Sequence, residues 1–157
     1  MPRKTSKGFN AERELARKLW EAGIAVMRAP ASGAGTRRIF YPDLLAIYRK
    51  RIAVIEVKYR TSASSYIRID HNKLKNMFEY ARRAGGEVFI AVRLPNIGWR
   101  FFKIDEPGNK TSYRVEELVE KSFDLEAFLR YLKGGSILNY IDSQTGKLSA
   151  SKDSVRE

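Results

Sequence analysis

The sequence predicts an α/β domain, a central mixed β-sheet flanked by helices. Segments of helical period stand near the start, in the middle and near the end of the chain, and strand-length β-branched and aromatic runs fill the intervals between them. Two of those runs are joined by a short turn, which is a hairpin signal rather than a regular βαβ repeat. A doubly wound nucleotide-binding sheet is therefore not expected. The 157 residues suit one domain, since domains run at roughly 150 residues each.

The first helix is expected over residues 8–22, with Leu15, Ala16, Leu19 and Trp20 as its apolar stripe and Gly23 as its stop. Residues 24–28 read as a short strand. Residues 29–38 form a small-residue, basic loop whose glycines let the backbone approach a phosphate closely. Residues 41–48 and 52–59 follow as an antiparallel hairpin around the basic turn Arg49-Lys50-Arg51.

An extended piece is expected over residues 66–69, and Asp70 is placed to N-cap the next helix. That helix carries Leu74, Met77, Phe78 and Ala81 at i, i+3, i+4, i+7 and ends at Gly85-Gly86. A strand over residues 87–94 stops at Pro95, and Asn96-Ile97-Gly98 turns the chain into a further strand over 99–104. The last helix is read near 124–133, with Leu125, Phe128, Leu129 and Leu132 as its stripe. Residues 1–134 are read as the domain. Residues 135–157 are read as a polar tail, flexible from about position 142, because so few apolar side chains cannot offset the cost of ordering.

Thirty Lys and Arg stand against 18 Asp and Glu, a formal net charge of +12, so a polyanionic partner is expected. The excess is concentrated: residues 1–60 hold 14 basic and 5 acidic side chains, while residues 61–134 hold 13 and 10. Cysteine is absent, which excludes disulfides, thiolate zinc sites and cysteine nucleophiles. The basic start of the sequence runs into a charged helix with no apolar signal region, and the apolar runs fall far short of the roughly 20 residues of a membrane span. A soluble, cytoplasmic protein with no membrane partner is the expectation.

The sharpest chemical feature is Ile55-Glu56-Val57-Lys58. Strand alternation puts Glu56 and Lys58 on one face, about 6.5 Å apart along the strand, and Ile52 and Val54 share that face. Burying two ionisable groups in an apolar row is costly unless they pair or bind a metal. Such a pair also occurs on ordinary exposed edge strands, but Pro42-Asp43 stands thirteen residues upstream of Glu56. The hairpin can return Asp43 to the neighbourhood of Glu56, and two carboxylates can share a hard cation such as Mg²⁺, with Mn²⁺ as a possible substitute. Glu12 lies in the middle of the first helix's apolar stripe, so its carboxylate is expected to face the core. There it either pairs with a base or joins the metal of Asp43 and Glu56. One or two cations so held would polarise a phosphodiester and lower the pKa of a water. Lys58 would orient that water or stabilise the transition state, while the basic first 60 residues hold the DNA backbone.

Several ordered pieces carry a resemblance: Lys7-Gly8 with Ala11-Glu12-Arg13-Glu14-Leu15, the run Val26-Met27-Arg28-Ala29-Pro30-Ala31-Ser32-Gly33, Pro42-Asp43, Ile55-Glu56-Val57-Lys58, Glu79-Tyr80-Ala81-Arg82-Arg83-Ala84-Gly85-Gly86, and Asn96-Ile97-Gly98-Trp99-Arg100-Phe101. In this order, over about residues 7–104, the chain resembles the archaeal Holliday-junction resolvases, members of the restriction-endonuclease-like PD-(D/E)xK nuclease superfamily. The resemblance implies that fold, and an endonuclease that resolves four-way DNA junctions by paired symmetric nicks. It puts Glu12, Asp43 and Glu56 at the divalent-metal positions and Lys58 at the catalytic lysine. It also puts Arg13 and Arg28 on DNA, with Ser32 as a loop serine needed for cleavage. Arg37 and Arg38 of the same loop are added as DNA-binding candidates from their charge. No histidine base stands near Ser32 in the sequence, so a phosphate contact suits it better than a nucleophile's role.

The family's symmetric homodimer is also implied, one site per subunit giving two opposed cuts. Met77, Tyr80 and Ala84 widen the apolar face of the middle helix and could serve that interface or pack on the last helix. His71, without a second His or Cys at ligand spacing, reads as a helix-start residue. Trp20, Trp99, Phe101 and Phe102 could stack on bases but are better placed as core. Two other readings stay open: a duplex or repair nuclease of the same fold, and a catalytically silent DNA-binding module. The junction-type loop argues against the first. The joint presence of Glu12, Asp43, Glu56 and Lys58 argues against the second.

Overall fold

In the computed structural model, residues 6–30, 39–108 and 110–135 are described. In chain order they form α1 (Ser6–Glu21), β1 (Ala25–Arg28), β2 (Leu44–Tyr48), β3 (Arg51–Tyr59), β4 (Tyr66–Arg68), α2 (His71–Ala84), β5 (Glu87–Leu94), β6 (Gly98–Ile104), β7 (Ser112–Arg114), α3 (Val115–Lys121) and α4 (Leu125–Leu132). Five strands make one mixed sheet in the order β1-β2-β3-β5-β6. The β3–β5 pair is parallel and the other three pairs are antiparallel. Parallel neighbours need a crossover, and here it runs through β4 and α2.

The two faces of the sheet carry separate cores. On one, Leu15 and Leu19 of α1 and Phe128 and Leu132 of α4 pack on Ala53, Ile55, Val57, Phe89 and Phe101. On the other, Leu74, Met77 and Ala81 of α2 and Leu118 of α3 pack on Val54, Val88, Ile90 and Val92. Residues 53–57 of β3 are buried throughout, as a strand covered on both faces must be. The aromatic centre is the Phe101–Phe128 stack, with ring centroids 4.0 Å apart and planes 4° from parallel.

The hairpin is tighter than read: Tyr48 pairs with Arg51, leaving Arg49 and Lys50 as the loop, with Arg49 at φ +53°. Strand β2 starts at Leu44 rather than residue 41, since Pro42 lacks the N–H that a ladder requires. Asp70 caps α2 as expected, accepting from the Asn72 and Lys73 amides, and Gly85 closes it in the left-handed region at φ 71°. His71 is the first residue of α2 and is exposed. Trp99 and Phe101 are buried, but Trp20 is 69% exposed and belongs to no core. Met77 is fully buried against the sheet, so it does not widen an outer face of α2. The extended piece read over 66–69 is β4 (Tyr66–Arg68), whereas its partner β7 in the small sheet and α3 have no counterpart in the sequence reading, because elements of three and seven residues give too few periods to register. Among the described residues, no helix is long and apolar enough to cross a membrane.

Candidate active site

The β2–β3 ladder ends with Leu44 opposite Ile55. One more step along that register brings Asp43 opposite Glu56, which is how thirteen residues of sequence become one site. Pro42 directly precedes Asp43 and is buried, so the chain enters β2 with φ already fixed. The Val57 amide donates to Asp43 Oδ2 at 2.9 Å, anchoring the carboxylate against the central strand. Asp43 is 6% exposed and Glu56 0%.

Glu56 points to the α2 side of the sheet, sharing a face with Val54 and Lys58. Its Oε1 receives Lys73 Nζ at 2.7 Å and Lys58 Nζ at 3.1 Å. Its Oε2 is buried and has no hydrogen-bond partner among the described residues. The carboxyl is pushed above its ordinary 4.5, first by burial and then by the negative charge of Asp43, with Lys73 and Lys58 pulling in the opposite direction. A buried carboxylate pair of this kind could hold a hard cation.

Glu12 faces the core as its helical position requires, at 3% exposure, and its Oε2 lies 3.9 Å from Arg28 Nη1. It belongs to α1, which packs on the opposite face of the sheet from Glu56. Among the described residues, no three His, Cys, Asp or Glu side chains are grouped closely enough to hold one metal ion. The structure thus brings together Asp43, Glu56 and Lys58, and sets Glu12 beside Arg28. Arg13 is exposed on α1. Ser32, Arg37 and Arg38 lie outside the described residues. Ala29, among the described residues, donates its amide to the Asp43 carbonyl at 3.1 Å.

Two features escaped the sequence reading. Lys73 flanks the buried stripe of α2, four residues before Met77, and a cation at the margin of a sheet-facing stripe was the available signal. Glu14 is the other: its Oε1 accepts from Trp99 Nε1 at 3.0 Å and Arg93 Nε at 3.1 Å, tying α1 to β5 and β6.

A family model described as archaeal Holliday junction resolvase matches residues 3–137. The chain is 39% identical over 134 residues to a protein of Sulfurisphaera tokodaii named crossover junction endodeoxyribonuclease Hjc, a match that covers 82% of this chain and 89% of that one. Proteins of the same name from Archaeoglobus fulgidus and Sulfolobus acidocaldarius are each 32% identical, over 77% and 82% of this chain and 79% and 90% of theirs. The solved structure of Archaeoglobus fulgidus Hjc, a Holliday junction resolvase, superposes with a TM-score of 0.65 at 27% identity, covering 78% of this chain and 99% of that one. The fold is therefore restriction-endonuclease-like, with the carboxylate pair at the start of one hairpin strand and near the end of the next. On the match to its family model, its curated relatives and its fold, this chain belongs to the archaeal Holliday junction resolvase family.

Proposed function

We propose that this chain is a Mg²⁺-dependent, structure-selective endonuclease that resolves four-way (Holliday) DNA junctions by paired symmetric nicks, with water as the nucleophile. The observation that carries the reading is the buried Asp43–Glu56 pair with Lys58 on Glu56, in a chain whose relatives are named crossover junction endodeoxyribonucleases. The donor set fits a hard divalent cation, Mg²⁺ or in its place Mn²⁺, because Glu56 Oε2 is a buried carboxylate oxygen without a hydrogen-bond partner among the described residues. Asp43 and Glu56 would hold that ion. Bound there, it supplies Lewis acidity at the phosphate and lowers the pKa of a water.

The rest of the work falls to the chain's own groups. Lys58 Nζ, 3.1 Å from Glu56 Oε1, would offset charge building on the phosphoryl oxygens. Arg13 and Arg28 hold the DNA backbone, Arg28 being steered by Glu12, and Arg37 and Arg38 add charge from the loop. Ser32 is assigned a phosphate contact. In this reading residues 1–134 are the nuclease domain, acting in the cytoplasm.

Two cuts at a symmetric junction call for two sites, and a homodimer provides them. A groove of about 680 Å³ on the outer side of α2, lined by Ile39, Phe40, Tyr80, Arg83 and Ala84 among others, supports a contact there. The test is an end-labelled four-way junction and its matching linear duplex, each incubated with Mg²⁺ or with EDTA. Paired symmetric nicks in the junction alone, only with Mg²⁺, are expected. Equal cutting of both substrates would move the function to general or repair cleavage, and binding without cutting would make the chain a silent DNA-binding module.

A further inference from the structure

Two lysines from different elements converge on one oxygen of Glu56. Lys58 reaches it along β3, at 3.1 Å, and Lys73 reaches it from α2, at 2.7 Å. The shorter distance is that of a charge-assisted hydrogen bond, and the longer one marks a looser contact. Lys73 is anchored through its own helix. Its backbone amide donates to the Asp70 cap at 3.1 Å, and the next residue, Leu74, is fully buried in the α2 core with Met77 and Ala81. The ammonium is therefore delivered to Glu56 by the docking of α2 on the sheet, not by the strand that carries the other site residues.

A fully buried carboxylate needs a counter-charge, and removing one partner of a buried pair is far more costly than breaking an exposed one. Lys73 meets that need through Oε1 and leaves Oε2 without a hydrogen-bond partner among the described residues. With Oε1 already held, Lys58 is not required as the principal partner of Glu56 and can serve the phosphate. We propose that Lys73 is a positioning residue for cleavage: it is the counter-ion that holds Glu56 before a divalent cation arrives, and it frees Lys58 for the substrate. This rests on the nuclease reading above and adds a residue to it.

The test compares the full chain with its Lys73→Met and Lys73→Arg variants by thermal unfolding in EDTA and in saturating Mn²⁺, and by steady-state junction cleavage. Lys73→Met should melt lower in EDTA, and Mn²⁺ should raise its Tm more than it raises that of the parent, since the cation then replaces a missing charge. Its kcat should fall about tenfold or more, the usual cost of losing a group that orients a metal ligand, with KM changed less than twofold. Lys73→Arg should restore part of both. Equal Mn²⁺ shifts, an unchanged kcat, a loss confined to KM, or a Lys73→Arg variant as impaired as Lys73→Met would each overturn the assignment, a KM effect alone marking a DNA contact. If the parent itself fails to cut, the nuclease reading falls and the unequal Mn²⁺ shifts decide the counter-ion relationship by themselves.

Discussion

Asp43 and Val57 are joined across the β2–β3 hairpin by one buried hydrogen bond, 2.9 Å from the Val57 amide to Asp43 Oδ2, and that bond fixes the carboxylate opposite Glu56. The site is thus built by the register of a hairpin. A slip of one residue would turn Glu56 and Lys58 to the other face of β3, into the core occupied by Ile55 and Val57. The apolar demand of two covered faces holds the register, and the register holds the chemistry.

Substitution at Asp43 should separate these two roles. Asp43→Asn keeps a side-chain carbonyl that can accept from Val57 but removes the charge, so it should fold close to the parent, bind junction at least as well, and not cut. Asp43→Ala also strands a buried amide, which costs about 1–3 kcal/mol. Denaturant unfolding of both variants beside junction cleavage checks the pair, and normal cutting by Asp43→Asn would refute the metal assignment.

Glu56 gives the pH dependence. Its carboxyl stands above the ordinary 4.5 in the fold, so the folded protein binds that proton more tightly than the unfolded chain does. The stability it contributes is fully present below the unfolded value and is lost as pH rises through the raised folded value. In EDTA near neutral pH, Glu56→Gln should therefore unfold at higher urea than the parent. Lys58 and Lys73 lose their partner at little cost, since water reaches both. The gap should close as pH falls towards about 4. A difference in midpoint that does not vary with pH would contradict the burial argument, and cleavage by Glu56→Gln should be lost at every pH.

How much of this could be read from the chain depended on how local the cause was. Asp70 and Gly85 were legible because a cap needs only its own helix end, and the Asp43–Glu56 pair was legible because period 2 and a short turn determine it. Lys73 was not, because its role arises from the crossover that lays α2 over β3, a non-local contact. Trp20 misled for a geometric reason: the buried arc of α1 centres on Leu15 and Leu19 and includes Ala11 and Glu12, which leaves position 20 roughly 100° or more from its middle. The β7–α3 segment was missed because its pairing partner, β4, lies some forty-five residues away.

The junction of α2 with β5 offers a test of packing alone. A Cβ at Gly86 would sit 2.7 Å from the Ile52 carbonyl oxygen, a backbone atom, whereas one at Gly85 would meet nothing within 4 Å. Gly85→Ala should cost about 1–2 kcal/mol through its left-handed φ. Gly86→Ala drives a Cβ into a backbone atom, forces β5 away from β3 and should cost more than Gly85→Ala through overpacking, with a fall in cleavage, because Glu56 lies four residues along the same strand from Ile52. Thermal melts rank the two, and the opposite ranking would contradict the close approach.

Junction binding should carry the signature of phosphate neutralisation, since most of the net charge lies in the first 60 residues. Each phosphate contact contributes about −0.9 to the slope of log K against log salt. Arg13 is exposed on α1 with no bonded partner among the described residues, so Arg13→Ala should weaken binding evenly across junction sequences and flatten the slope by about 1. Arg28 differs. It is half-buried beside Glu12, so Arg28→Ala should lower Tm as well as the slope, which Arg13→Ala should not. Titrations at several salt concentrations, with melts of the same samples, distinguish a pure backbone contact from one that also holds the fold. An Arg13→Ala slope equal to the parent's would remove α1 from the DNA face.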